Sequence, residues 1–131
     1  MEGYVATSDE RFLREAVRWA KAGLPFVYFW GLEGVPVMKG STIPIFGASF
    51  YTLPWFGRPV QWNGLVYAFH LLRLARYDRS FPWDKVALNI LSSALRQQVK
   101  EGTYRGLYPD SWDLGSNSPN PPYINLSLIH I

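Results

Sequence analysis

The chain has 131 residues, which is enough for one ordinary domain and not for two. Its composition, 48% hydrophobic and 18% charged, is typical of a globular protein and not of a disordered one. The net charge of +3 comes from scattered Lys and Arg residues without a basic stripe, so we expect no nucleic-acid partner. The sequence has no Cys, which excludes disulfides, zinc–thiolate sites and a cysteine nucleophile. No segment predicts a membrane span or a signal peptide, and the compartment stays open.

The last six residues, LSLIHI, look unlike the rest of the chain. The string is similar to the translation of a transposon-end adapter used in sequencing libraries. We therefore interpret residues 126–131 as adapter-derived, and residues 1–125 as part of one domain from a truncated gene. The alternative is a native apolar strand. On the adapter interpretation, His130 is no candidate ligand or base, and the glycosylation pattern at Asn125 spans a junction.

The first predicted helix follows the sequence TSDE. Thr7 and Glu10 have the spacing of a capping box. Apolar residues then recur at helical spacing on one side, with charged residues on the other, until Gly23 and Pro25 end the segment. The pattern predicts an amphipathic helix with one face in water.

Two further helices are predicted, over residues 59–76 and 83–102. The former is apolar on nearly all sides and too short for a clear membrane span, which is typical of a helix buried inside a protein. The latter has one apolar stripe and one polar face. The predicted stripe consists of Trp83, Val86, Ala87, Ile90, Leu91, Ala94, Leu95 and Val99. The predicted polar face consists of Lys85, Asn89, Ser92, Ser93, Arg96, Gln97 and Lys100.

Two segments lack helical periodicity. One lies between the first and second predicted helices, and the other follows the third. Residues 25–59 are rich in Pro, Gly and aromatic residues, with short strand-like runs at 26–30, 35–38 and 42–46. The prolines in these runs favour edge strands or extended loop. Residues 103–125, rich in Gly, Pro, Asn and Ser, are predicted to be a loop.

A weak internal repeat adds to the helical pattern. Ala6, Asp9 and Phe12 recur 69 residues later, as the residues of the same types at 75, 78 and 81. In each copy a short Asp-containing turn leads into an amphipathic helix. Repeated helix pairs build toroids and solenoids. We therefore expect an all-α fold with about three helices in the order outer, inner, outer, and a small β-like or extended insertion.

Three segments resemble a known superfamily. Residues 4–16 (YVATSDERFLREA) resemble a recurring hairpin turn of six-hairpin glycosidase-like proteins, the (α/α)6 toroids. Residues 57–68 (GRPVQWNGLVYA) and 108–113 (YPDSWD) are similar to uncharacterised bacterial members. The resemblance covers nearly all of residues 1–125. It implies a fragment of an α/α toroid, in a superfamily that includes glycan hydrolases and lyases, sugar epimerases and non-catalytic relatives.

The resemblance also implies which loops carry the site, namely 25–59 and 101–125. Glycan chemistry uses carboxylates, usually as a pair. Asp110 and Asp113 flank Trp112 in the second loop and are our candidate catalytic residues. The alternative is that both carboxylates stabilise the loop by bonding to their own backbone.

Aromatic and amide side chains near the same face are candidate substrate-binding residues, because rings cover the apolar face of a sugar and amides bind hydroxyl groups. These candidates are Trp55, Gln61, Trp62, Asn63, Tyr108 and Trp112. For Trp55, Trp62 and the helix start, core packing and capping are the competing interpretations. His70 is interpreted as a core or groove residue and not as a catalytic base. We expect no metal and no cofactor.

These features together predict a carbohydrate-processing protein whose partner is an oligo- or polysaccharide. Glycoside hydrolysis by carboxylate acid/base chemistry is the expected activity of the parent protein, and the fragment alone is expected to be inactive because three helices cannot close a toroid. One alternative is a non-catalytic glycan-binding protein. Another is a helical scaffold that binds protein.

Overall fold

The computed structural model of the chain describes residues 1–27, 49–50, 59–113 and 118–125. Within these ranges it has α1 (Glu2–Thr7), α2 (Glu10–Gly23), a 3-10 turn (Leu24–Phe26), β1 (Ser49–Phe50), β2 (Pro59–Val60), α3 (Gln61–Leu74), α4 (Trp83–Gln97), β3 (Tyr108–Asp113) and β4 (Ser118–Ile124). The strands form two antiparallel pairs, β1 with β2 and β3 with β4. The fold is therefore a small α+β arrangement, and the prediction of an all-α toroid fragment is wrong.

The start of α2 differs from the predicted capping box. Asp9 is the residue that caps the helix, and its carboxylate accepts a hydrogen bond of 2.9 Å from the backbone N–H of Arg11. Thr7 belongs to the preceding helix, where its hydroxyl donates to the carbonyl oxygen of Gly3. Ser8, in the left-handed conformation with φ 56°, separates the two helices. The capping-box prediction is wrong because residues 2–7 are already helical.

The core lies where α3 packs against α2 on one side and α4 on the other. Its buried residues are Ala20, Ala68, Leu71, Leu74, Ala75, Trp83, Val86, Ala87 and Ile90. The remaining side of α3, which carries Val66 and His70, is exposed. No helix in the described ranges is long and apolar enough to span a membrane.

Helix α4 buries most of the predicted apolar stripe, including Trp83, Val86 and Ile90, but its buried face also takes in residues predicted to be polar. Ser93 and Gln97, placed on the polar face by the sequence pattern, are buried. Leu88 and Leu95 are exposed, although Leu95 was assigned to the apolar stripe. The buried face is thus rotated towards small and amide side chains, which pair with each other: the Gln97 amide donates to the Ser93 hydroxyl at 3.4 Å.

Residues 108–124 contain a β-hairpin where a loop was predicted. Tyr108 pairs with Ile124, and the strands stay in register to Asp113 and Ser118, apart from an irregularity between Pro109 and Ser111. In a two-stranded sheet both strands are edges, so prolines lacking an N–H are tolerated. The Pro-rich composition therefore led to the prediction of a loop although the segment forms a hairpin.

The internal repeat does not produce equivalent structures. Asp9 is the residue immediately before α2, whereas Asp78 precedes the start of α4 by five positions. Phe12 lies inside α2, and Phe81 lies before α4. Of the predicted strand-like runs, those at 35–38 and 42–46 lie outside the described residues, as does most of the run at 26–30.

Candidate functional site

The β3–β4 hairpin presents the predicted site residues on two faces. Successive residues of a strand point to opposite sides of the sheet. Tyr108, Asp110 and Trp112 therefore share one face of β3, and Asp113 lies on the other. The structure thus groups one of the two candidate carboxylates with both aromatic candidates of this strand.

Tyr108 anchors this face to the helices. Its side chain is 1% exposed and packs in a small cluster with Leu65 of α3 and Ala94 of α4. Burial raises the pKa of the Tyr108 phenol above its ordinary value. The ring fixes β3 against the helices and offers no open surface to a ligand.

The two candidate carboxylates differ in their surroundings. Both are half-buried. Among the described residues, no hydrogen-bond donor or cation contacts the Asp110 carboxylate, whereas Asp113 interacts with another residue. Asp110 sits at the irregularity in the hairpin, where Pro121 and Pro122 of β4 lie opposite this single residue. The extra residue of this bulge is on β4 and not on β3. Of the two carboxylates, Asp110 is thus the one without a donor or cation partner among the described residues.

The first turn of α3 lies next to β3, because β3 contacts both β2 and α3. Trp62 and Asn63 in this turn are half-buried, and each interacts with another residue. Gln61 is the first residue of α3, and its side chain lies outside the described part of the structure. Trp55 also lies outside the described residues. The resemblance implied that the start of α3 and residues 108–113 lie on one face; in the structure residues 108–113 form a strand that contacts β2 and α3, and not a loop.

A polar link across the hairpin was missed by the sequence interpretation. Ser111 is 3% exposed, and its hydroxyl oxygen accepts a hydrogen bond of 2.9 Å from the side-chain amide of Asn120 on β4. Ser111 lies between Asp110 and Trp112 along the strand and pairs with Asn120 in the register. This bond holds the two strands together beside the candidate site. If the hairpin had been recognised in the sequence, the pairing of its two strands could have identified Ser111 and Asn120 as partners.

A second concave region lies between α2 and α3. It is a groove of about 330 Å³, and its lining is mainly apolar, with Trp19, Tyr67 and His70 as the aromatic members. The Tyr67 hydroxyl donates a hydrogen bond to the carbonyl oxygen of Ala20. His70 is exposed on the wall of this groove, which agrees with its interpretation as a groove histidine. The groove lies towards the C-terminal half of α3, away from Asp110.

The charged groups near this groove are paired with each other. Arg73 forms an ion pair with Glu2 of α1, and the hydrogen bond from Arg73 lowers the pKa of the Glu2 carboxyl. Both side chains are solvent-accessible to a considerable extent. Within the described ranges, no group of three or more His, Asp or Glu side chains has an arrangement that could hold a metal ion.

The four predicted site residues of β3 therefore differ in placement. Asp110 and Trp112 are half-buried on one face, Tyr108 on the same face is buried against the helices, and Asp113 faces the other way. Comparison of the chain with protein-family models, with curated proteins and with solved structures gives no match, so its function is inferred from this geometry.

Proposed function

We propose that the chain binds an oligosaccharide on the β3–β4 hairpin, with Asp110 and Trp112 as the contacting residues. The observation that carries this proposal is the Asp110 carboxylate. It is half-buried, it has no donor or cation partner among the described residues, and it shares a face with the indole of Trp112.

The chemistry of both side chains suits a sugar. The apolar C–H face of a pyranose packs on an indole ring, while hydroxyl groups at the ring edge need hydrogen-bond acceptors. An ionised carboxylate accepts several such bonds, and charge-assisted hydrogen bonds are stronger than neutral ones. Partial burial keeps water from competing fully for these bonds.

The geometry favours binding over hydrolysis by the predicted pair. Acid/base hydrolysis requires two carboxyl groups that flank one glycosidic bond. Asp113 points to the opposite side of the strand from Asp110. We therefore place glycan binding first, and hydrolysis is the outcome that the experiment below distinguishes from it.

The test is isothermal titration of the full chain with a panel of oligosaccharides, combined with measurement of released reducing ends. Asp110→Asn removes the charge while keeping the shape, and Trp112→Ala removes the ring. Matched controls are Asp84→Asn, an exposed carboxylate in the first turn of α4, and Trp19→Ala, an exposed indole on α2.

We expect Asp110→Asn and Trp112→Ala each to weaken binding about tenfold or more, because each removes one major contact. The two controls should bind like the wild type. Release of reducing ends that Asp110→Asn abolishes would instead favour the hydrolase. If no oligosaccharide binds, or if both control variants weaken binding equally, the proposal is wrong.

A further inference from the structure

Two tyrosines stack beside the hairpin. The rings of Tyr104 and Tyr123 lie 4.5 Å apart between centroids, with an interplanar angle of 15°. Tyr123 is half-buried on β4 and pairs with Pro109, the neighbour of Asp110 in the chain. Tyr104 remains 51% exposed. One face of the Tyr104 ring is therefore covered by Tyr123, and its outer face is available to a ligand.

The turn that carries Tyr104 is well ordered by its backbone. The N–H of Val99 bonds to the carbonyl oxygen of Leu107 at 2.9 Å, and the N–H of Gly106 bonds back to Val99 at 2.8 Å. Residues 100–105 thus project as a closed turn. Gly102 and Gly106 have φ values of 77° and 85°, which side-chain-bearing residues rarely adopt. The ring is consequently held in place before any ligand binds, which lowers the entropic cost of binding.

The turn of residues 100–105 itself carries more positive than negative side chains. Lys100 and Arg105 are exposed, and neither forms an ion pair or hydrogen bond with another described side chain. Glu101, also exposed, is the one carboxylate of the projecting turn. Arg96 at the end of α4 lies back along its helix, where its guanidinium bonds to Ser92. The turn thus carries two cations and one anion, a balance that favours an anionic ligand group near it.

We propose that Tyr104, Lys100 and Arg105 form a subsite for a sugar unit that carries a carboxylate. The ligand class is then a uronate-containing oligosaccharide. This inference rests on the proposed saccharide binding by Asp110 and Trp112, and it specifies in addition that the saccharide is negatively charged. Tyr123 and Asp110 lie on opposite faces of the hairpin, so a single oligosaccharide contacts both sites only if it passes around the edge of the hairpin.

The experiment compares an oligogalacturonate with a neutral β-1,4-glucan oligosaccharide of equal length, titrated into the full chain at low and at high salt. The variants are Tyr104→Ala, Tyr104→Phe and the double variant Lys100→Gln with Arg105→Gln. A double variant of exposed cations elsewhere, Arg79→Gln with Lys85→Gln, is the matched control.

We expect the uronate to bind at least about tenfold more tightly than the neutral chain at low salt, with the difference decreasing as salt rises. The Lys100/Arg105 variant should remove this preference, and the control variant should keep it. Tyr104→Ala should weaken binding about three- to tenfold, whereas Tyr104→Phe, which retains the stack, should bind like the wild type.

Equal affinity for the two oligosaccharides, or unchanged binding by Tyr104→Ala, overturns the subsite. If Asp110→Asn and Trp112→Ala still weaken binding in that case, the proposed function stands without it. If neither oligosaccharide binds, the subsite is wrong, and the titrations with the wider panel decide the proposed function.

Discussion

The indole N–H of Trp83 donates a hydrogen bond of 2.6 Å to the carboxylate of Asp78. Trp83 is 0% exposed, so this bond provides a partner for a polar group that has no access to water. The hydroxyl of Ser80 donates to the same carboxylate oxygen at 2.8 Å. One side chain in the short turn between α3 and α4 therefore fixes the first residue of α4.

Replacement of Asp78 should destabilise the fold. Asp78→Ala leaves the buried indole N–H without an acceptor, which we expect to lower the free energy of unfolding by about 1–3 kcal/mol. Asp78→Asn retains an amide oxygen as acceptor and should cost less. Urea denaturation at neutral pH measures both, with Arg79→Ala as the control at an exposed neighbouring position. An Asp78→Ala variant as stable as Arg79→Ala would contradict this role.

The same carboxylate predicts a pH dependence. Burial alone would raise its pKa, but the hydrogen bonds from Trp83 and Ser80 and the charge of Lys21 outweigh this effect, and the pKa of Asp78 lies below the ordinary value of 3.8. A carboxyl with a lowered folded-state pKa stabilises the fold fully above its unfolded-state pKa. That contribution is lost as the pH falls through the lower, folded-state value.

The measurement is the free energy of unfolding of the wild type and Asp78→Asn from neutral pH into the acidic range. The wild type should lose stability below about pH 4, and the difference between the two proteins should decrease there. Glu2 and Asp9, whose pKa values are also lowered by arginine partners, contribute to the fall that remains in the variant. A constant difference at all pH values would show that the charge of Asp78 is irrelevant.

Gly23 at the end of α2 should resist substitution by a better helix former. A Cβ atom at this position would lie 2.8 Å from Cε2 and 3.0 Å from Cζ of Tyr67. Alanine is favoured over glycine in helices by about 1 kcal/mol. The overlap with the buried part of the ring should outweigh that gain, and we expect Gly23→Ala to be destabilising by about 1–3 kcal/mol.

A double-mutant cycle tests the origin of that cost. If Tyr67 is its source, Gly23→Ala should be neutral or stabilising in a Tyr67→Ala background. Additive effects of the two substitutions would place the cost elsewhere. Ala22→Gly, on the exposed side of the same helix turn, gives the intrinsic helix effect for comparison.

The phenol of Tyr67 should titrate at unusually high pH. Burial raises the pKa of its phenol from 10.0 to about 12. The neutral form is therefore favoured in the folded protein, and this stabilising contribution is present below pH 10 and lost as the pH rises towards 12. The difference in tyrosinate absorbance between the wild type and Tyr67→Phe should show the late transition. A Tyr67 signal that titrates near pH 10.0 would contradict the burial of the phenol.

The helices were predictable because their apolar residues repeat at helical spacing over many positions. The end of α2 at Gly23 follows from this repeat and from Gly and Pro, whereas α3 ends at Leu74, two residues before the predicted end at 76. Helix α1 was not predictable in this way, since it is short and contributes no buried residue. In α4, burial of Ser93 and Gln97 breaks the correspondence between polarity and exposure on which the periodicity depends.

The hairpin shows a different limit of sequence patterns. Five of the residues in β3 and β4 are prolines or asparagine, and such residues indicate turns when no partner strand is known. Strand pairing is a property of two segments together, so neither segment alone predicted it. For the candidate site, the sequence showed that Asp110, Trp112 and Asp113 are close together in the chain. Only the strand geometry shows that Asp113 lies on the opposite face from Asp110 and Trp112.

Helix α1 has no buried residue and is attached to the rest of the chain by contacts at its surface: the Glu2–Arg73 ion pair, and Tyr4 packed edge-on against Tyr77. Surface ion pairs of this kind contribute little to stability, because water and salt screen the two charges. The amide protons of residues 2–7 should therefore exchange with solvent through local opening, long before those of α3 and α4. Hydrogen exchange would then separate two levels of stability in one short chain, a weakly attached first helix and a cooperative body whose protection reports the global unfolding equilibrium.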